Sequence, residues 1–161
     1  MDEESRRSVL RKLPYGMSVM TAVGLDGTPA ASTLTWISQC SFHPPLVMIA
    51  IQKTSQMHDA VETGGGLAVN LLGEGQQEIA KTFFRPPAAN AGRFGEIRYE
   101  PGPLTGAPLL NDAPAWFEAR VTDRVERGDH TVFVAEVVGA GVRDAAVKPL
   151  LLSDTPWNYG G

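Results

Sequence analysis

Between Ala30 and Ile51 the chain reads AASTLTWISQCSFHPPLVMIAI, and this stretch constrains the fold more than any other. Hydroxyls recur at Ser32, Thr33, Thr35, Ser38 and Ser41, and then Pro44-Pro45 breaks the segment before the apolar run Leu46 to Ile51. An extended chain that sets hydroxyls among apolar neighbours is poorly explained as core, because a buried hydroxyl without a partner is costly. It is better explained as the lining of a polar small-molecule site.

The flanking sequence reads mainly as short strands. Met17 to Val23 places Met17, Val19 and Val23 on one face by period two, and Asp26-Gly27 supplies a hairpin turn into the hydroxyl-rich strand. Leu46 to Ile51 is apolar at every position and is expected to be buried on both faces. Leu67 to Leu72 forms another strand. From Ala115 to Val125, Phe117, Ala119, Val121 and Val125 alternate with Glu118, Arg120, Thr122 and Arg124, which predicts a strand with one wet face. The turn Arg127 to His130 reverses it into Thr131 to Val138, and Leu150 to Leu152 reads as a last short strand.

Three short helices are expected. The first covers residues 2 to 13, with acids at its start and Val9, Leu10 and Leu13 as an apolar patch. A second follows the N-cap Ser55, carries Met57, Ala60 and Val61 inward and closes at Gly64-Gly65-Gly66. The third runs from Glu74 to Phe84 with Ile79, Ala80, Phe83 and Phe84 inward, until Arg85-Pro86-Pro87 stops it. Residues 88 to 111 show little periodicity and are expected to be a long irregular connection bordering the site. Residues 156 to 161 read as an irregular end. A length of 161 residues with Gly 17 and Pro 12 therefore predicts a single domain over 1–161, an all-β core with flanking helices.

Several function classes are excluded. A net charge of −4 attracts no polyanion, so nucleic acid is not an expected partner. The one cysteine, Cys40, cannot form an intrachain disulfide or a multi-thiolate site. A lone cysteine is taken as a buried, inert thiol in a reducing compartment. His43, His58 and His130 stand in no metal-ligand spacing. Neither G-x-G-x-x-G after a strand, nor a P-loop, nor a G-x-S-x-G elbow occurs. The N-terminus lacks an apolar leader core and no run reaches membrane-spanning length, so a soluble, cytoplasmic protein is expected.

Five landmarks together carry a resemblance. They are PYGMSVMTA at 14 to 22, DG at 26 and 27, T-x-T-W-x-S-Q-x-S-F-x-P-P from Thr33 to Pro45, LAVNLL at 67 to 72, and GDH at 128 to 130. In this order and spacing the chain resembles the short flavin reductases with an FMN-binding split β-barrel, over roughly residues 10 to 152. The resemblance implies about six antiparallel strands with short flanking helices and a homodimer with FMN near the subunit interface. It also implies reduction of flavin by NADH or NADPH. Reduced flavin or electrons would pass to oxygen, iron, a partner oxygenase or another acceptor. Two alternatives stay open: an FMN-binding electron-transfer module without its own NAD(P)H activity, and a heme- or deazaflavin-binding protein on the same barrel.

By the same resemblance the flavin lies against Thr33, Leu34, Thr35, Trp36, Ser38, Gln39 and Cys40, and against Lys53, Thr54 and Ser55. From the residues alone, Thr33 and Thr35 share a strand face and could serve the ribityl or phosphate, or could simply be β-branched strand formers. Lys53-Thr54-Ser55 is a helix N-terminus with a cation beside it, which suits a phosphate or is a solvated cap. The family's histidine in the GDH motif lies near the flavin face, which makes His130 the candidate on the nicotinamide side; otherwise it satisfies turn carbonyls. Trp36 departs from the small residue that many members carry, and could cover the flavin, fill the dimer interface or pack in the core. His43 stands where Asp is common. Hydride transfer between nicotinamide and flavin needs little acid or base help, so no catalytic constellation need be written in the chain.

Overall fold

The computed structural model describes residues 1–161. Eleven strands and three short α-helices follow in the order α1 (Glu3–Leu10), β1 (Ser18–Val23), β2 (Pro29–Leu34), β3 (Ile37–Ser41), β4 (Leu46–Gln52), α2 (Gln56–Gly64), β5 (Gly66–Leu71) and α3 (Gln77–Thr82). Then come β6 (Ala89–Asn90), β7 (Arg93–Phe94), β8 (Ile97–Pro101), β9 (Pro108–Leu110), β10 (Ala115–Arg127) and β11 (His130–Val142). No helix is long and apolar enough to cross a membrane.

The main sheet has seven antiparallel strands in the order β2-β1-β5-β10-β11-β4-β3. Its two outermost strands, β2 and β3, are consecutive in the chain and are separated only by Thr35 and Trp36. Laid flat, the edges of such a sheet would stand about 29 Å apart. Three peptide steps from Leu34 to Ile37 span at most about 11 Å. The sheet must therefore curl until its edges meet, and Thr35-Trp36 crosses the seam. The Trp36 carbonyl accepts from Ala50 N–H at 3.1 Å, tying the crossing to β4. This is why the single hydroxyl-rich strand expected over 30 to 41 is two strands, and why the sheet exceeds six.

Local chemistry fixes the other elements. Asp2 caps α1 through the Glu4 and Ser5 amides, and Ser55 caps α2 by accepting from His58 N–H at 3.1 Å. Gly65 ends α2 in the left-handed conformation at φ 69°. Gly27 adopts φ 80° in the β1–β2 turn, where Asp26 accepts from Thr28 N–H at 2.9 Å. The barrel interior holds Met20, Leu34, Ile49, Leu67, Val69 and Phe133. A second cluster, with Met17, Val19, Phe83, Phe94, Leu110 and Leu150, lies under the small sheet of β6 to β9.

Several expectations are corrected. Strand β1 is buried on both faces, since Met17 and Val19 belong to one cluster and Met20 and Ala22 to the other. Strand β4 alternates instead, with Val47, Ile49 and Ile51 buried and Met48 exposed, because only one face meets the interior. Residues 88 to 111 are not irregular but fold into the four-stranded sheet. Its strands are two to five residues long, too short to show a period. Leu150 to Leu152 forms only a bridge from Leu151 to Gly16 and the start of one 3₁₀ turn, while Val9, Leu10 and Leu13 of the first helical segment remain exposed.

Two buried polar residues hold the layers together. Glu118, expected on a wet face, is fully buried on β10; its Oε1 accepts from Leu104 N–H at 3.1 Å and from Thr105 N–H and Oγ1–H at 2.8 Å each. Asn70 on β5 accepts from Leu110 N–H at 2.7 Å and donates to the Val19 and Pro108 carbonyls at 3.2 Å each. It pins the small sheet to the barrel. Truncation would leave the Leu110 N–H without its acceptor, while the Pro108 carbonyl keeps the Thr21 hydroxyl at 2.6 Å, so Asn70→Ala is expected to destabilise the fold by about 2 kcal/mol in chemical denaturation. A loss under about 1 kcal/mol would show that water or relaxation replaces the pin.

Candidate functional site

A cavity of about 460 Å³ opens where the sheet edges meet. Its floor comes from Met17 and Met20 of the first strand segment, and one wall from Ser32 to Trp36 at the seam. Ala50, Ile51, Gln52 and Ser55 form the opposite wall, with Phe83 and Phe84 beyond α3. Leu152, Trp157, Asn158 and Tyr159 complete it from the far end of the chain. The lining is largely apolar with a few polar groups, the composition of small-ligand sites.

The hydroxyls along the seam differ in what they leave available. Thr33 Oγ1 donates to the Ala80 carbonyl at 2.6 Å, and Ser32 Oγ to the Thr33 carbonyl at 3.1 Å. Ser55 Oγ donates to the Gln52 carbonyl at 2.8 Å while capping α2. These three have their hydrogens engaged and face a ligand as acceptors. Thr35, 8% exposed, makes no side-chain hydrogen bond within the protein, so its hydroxyl is the one left to donate. Trp36 Nε1 is buried without any acceptor.

Of the residues expected from the sequence, Thr33, Leu34, Thr35, Trp36 and Ser55 line the cavity. Lys53 and Thr54 sit just beyond it, between β4 and α2, with Lys53 N–H donating to the Asp129 carbonyl at 3.0 Å. Ser38, Gln39 and Cys40 do not reach it. They lie on β3, where Ser38 Oγ donates to the Gln39 carbonyl and Gln39 Nε2 to that of Ser41. Cys40 is exposed rather than buried, because the edge strand has no layer over that face. The connection 88 to 111 contributes nothing to the lining, contrary to expectation, because its sheet packs on the second core cluster.

His130 opens β11 beside this cavity. Its ring lies 4.8 Å from the Trp36 ring, and its Nδ1 is 2.7 Å from Asp129 Oδ1. Nε2 faces the Tyr159 hydroxyl at 3.5 Å, and the Tyr159 ring meets Trp36 edge-on at 5.1 Å. Trp157 stands edge-on to Phe84 at 4.8 Å. Phe84 is thus not inner core but a half-exposed rim residue. Trp157 and Tyr159 escaped sequence reading because no period marks them; their one signal was two aromatic rings inside a Pro- and Gly-rich stretch.

Electrostatics at the rim centre on Asp129. The hydrogen bond from His130, then the His130 charge and more weakly that of Lys53, hold its carboxyl below the ordinary range. Burial, and then the Asp129 charge, push the Tyr159 phenol up, so it stays protonated through neutral pH. A carboxyl lowered in the folded state stabilises the fold above its unfolded pKa and loses that contribution as pH falls through the lowered value. His130→Ala is therefore expected to move the Asp129 midpoint back up toward an ordinary carboxylate in a carbon-detected NMR titration. An unmoved midpoint would mean that the pair does not form in solution.

The family model described as "Flavin reductase like domain" matches residues 10–157. The chain belongs to this family. It is 33% identical over 152 residues to "Flavin reductase (NADH)" of Kitasatospora aureofaciens, covering 94% of this chain and 78% of that protein. The structure of the Streptomyces globisporus NADH:FAD oxidoreductase superposes with a TM-score of 0.79 at 30% identity, over 92% of this chain and 86% of that one. The styrene monooxygenase flavin reductase of Pseudomonas putida S12 gives 0.74 at 30% identity, over 91% and 90%. The split β-barrel of flavin reductases is the fold of this chain.

Proposed function

We propose that this protein is an NADH-dependent flavin reductase that binds FMN in the seam cavity and delivers reduced flavin to a partner oxygenase. The observation that carries the reading is the coincidence of an aromatic-walled cavity of about 460 Å³ with the Thr33 to Trp36 segment of the family landmark. The donor set fits a flavin. Apolar walls suit a planar ring, the free Thr35 hydroxyl can meet its polar edge or ribityl chain, and Ser32, Thr33 and Ser55 can accept from ribityl hydroxyls. Lys53 beside the first turn of α2 supplies a cation and orphan amides for a phosphate. In this reading the cavity of about 460 Å³ takes the flavin ring and ribityl chain, and the adenylate of FAD would extend outside it.

Bound flavin supplies the chemistry by accepting a hydride on its ring from a nicotinamide. The chain's own part is placement. Trp36 and His130 set the face on which a second planar ring can stack, and Asp129 holds His130 Nδ1 so that Nε2 points at the rim. The chain forms one domain over 1–161 that acts in a reducing cytoplasm, where exposed Cys40 stays a thiol. It pairs as a homodimer through the apolar outer strip, where exposed Met48 lies beside Val134 in register. Sedimentation should give twice the chain mass.

The deciding test is the visible spectrum of the protein with FMN, followed anaerobically on addition of NADH and then NADPH. Bleaching by NADH at a catalytic rate is the expected outcome; bound flavin that stays oxidised until a reduced protein is added would favour the electron-transfer module instead. A heme or deazaflavin spectrum in the purified protein would displace the flavin reading altogether. Under the same conditions His130→Ala should slow reduction at least tenfold, about 1.4 kcal/mol, with FMN affinity changed much less. Lys53→Ala should weaken FMN several-fold and leave riboflavin, which lacks the phosphate, unaffected.

A further inference from the structure

We propose that Tyr159 controls donor access, because its ring occupies the slot over Trp36 and His130 that the nicotinamide has to enter. The inference rests on the flavin reductase reading and names a residue outside the family match, which ends at residue 157.

Three observations converge on this residue. First, the His130 side chain is only 15% exposed although it stands at the rim. Trp36 covers one side of it, Asp129 holds Nδ1, and Tyr159 O–H closes on Nε2. While Tyr159 stays, little of the His130 ring is left for a donor ring to stack on. Second, Tyr159 itself is 45% exposed and is held by few contacts. It rests edge-on against Trp36 at 5.1 Å and by a long 3.5 Å approach to His130. The next residue, Gly160, takes φ 81° and packs so closely that a Cβ would come within 3.1 Å of Trp36 Cζ2; its carbonyl accepts from Arg11 Nε at 3.2 Å. The segment is a latch with few attachments.

Third, the closed arrangement leaves an unmet hydrogen bond. Trp36 Nε1 is shut off from solvent with no acceptor, and Gly160 and Tyr159 are what pack against that ring. A buried N–H without a partner is unfavourable, and water or a ligand carbonyl reaching it once Tyr159 swings out offsets part of the cost of opening. Opening therefore has a built-in compensation on the donor side. Tyr159 also borders the flavin cavity, so its effect is read as KM for NADH against the FMN Kd.

A ring pair of this kind changes an equilibrium by a factor of about 2 to 10. Steady-state and rapid-mixing kinetics with NADH, at saturating FMN, are to be compared for the native protein, Tyr159→Ala and Tyr159→Phe. Tyr159→Ala, an exposed truncation that leaves the core intact, is expected to lower KM for NADH by that factor and to change the FMN Kd less. Tyr159→Phe keeps a ring in the slot and should shift KM less than Tyr159→Ala does. An unchanged or raised KM for NADH in Tyr159→Ala would overturn the proposal, a rise meaning that the donor stacks on Tyr159 rather than displacing it. Native protein that binds no FMN or does not oxidise NADH would defeat the reductase reading itself, which is a distinguishable failure.

Discussion

Everything in this molecule depends on the closure of one sheet by two residues. Because Thr35 and Trp36 must carry the chain from one edge of a seven-stranded sheet to the other, the edges are brought together and a gap is left where they meet. The gap is the cavity. Its few polar groups follow from the same constraint, since backbone at a seam cannot complete a regular ladder and its side chains take over part of the hydrogen bonding. Thr33 reaches Ala80 and Ser55 reaches Gln52, so both walls are braced before any ligand arrives.

The second constraint is that β5, and β10 at Glu118 and Ala119 where it pairs with β5, are buried on both faces, one toward the barrel and the other toward the small sheet. Such strands are usually apolar throughout, yet Asn70 and Glu118 sit there with no solvent access. Each answers backbone groups that the turn at 102–107 and the edge strand β9 leave without ladder partners. Polar burial here is a consequence of packing the turn and free edge of the small sheet on the barrel. It also explains why Gly102 is small: a Cβ there would run into the Glu118 carboxylate.

How far the sequence was readable tracks how local the signals were. Ser55 as cap, Gly65 as stop, the Asp26-Gly27 turn and the β10–β11 hairpin at Gly128 are decided by a few adjacent residues, and all were legible. What was not legible depends on layers contributed from elsewhere. Glu118 alternates like a solvent-facing residue, and only the small sheet above it makes that face dry. Met48 reads as core, and only the absence of a covering layer makes it exposed. The seam half of the cavity, Thr33 to Trp36, could be named from its hydroxyls and the family landmark. The other half, Phe84, Trp157 and Tyr159, is brought there by a return of the chain that no local pattern encodes.

The cavity wall draws on residues from Met17 to Tyr159, almost the full span of the chain. A partly folded chain with the barrel still open has no such wall. Occupancy of the cavity therefore couples to the global transition rather than to any sub-unit of it, and a ligand raises the stability of the whole fold by mass action. Substitutions far from the cavity that loosen barrel closure would then present as weakened ligand affinity on warming. The bound chromophore would act as a thermometer for the closure of the sheet.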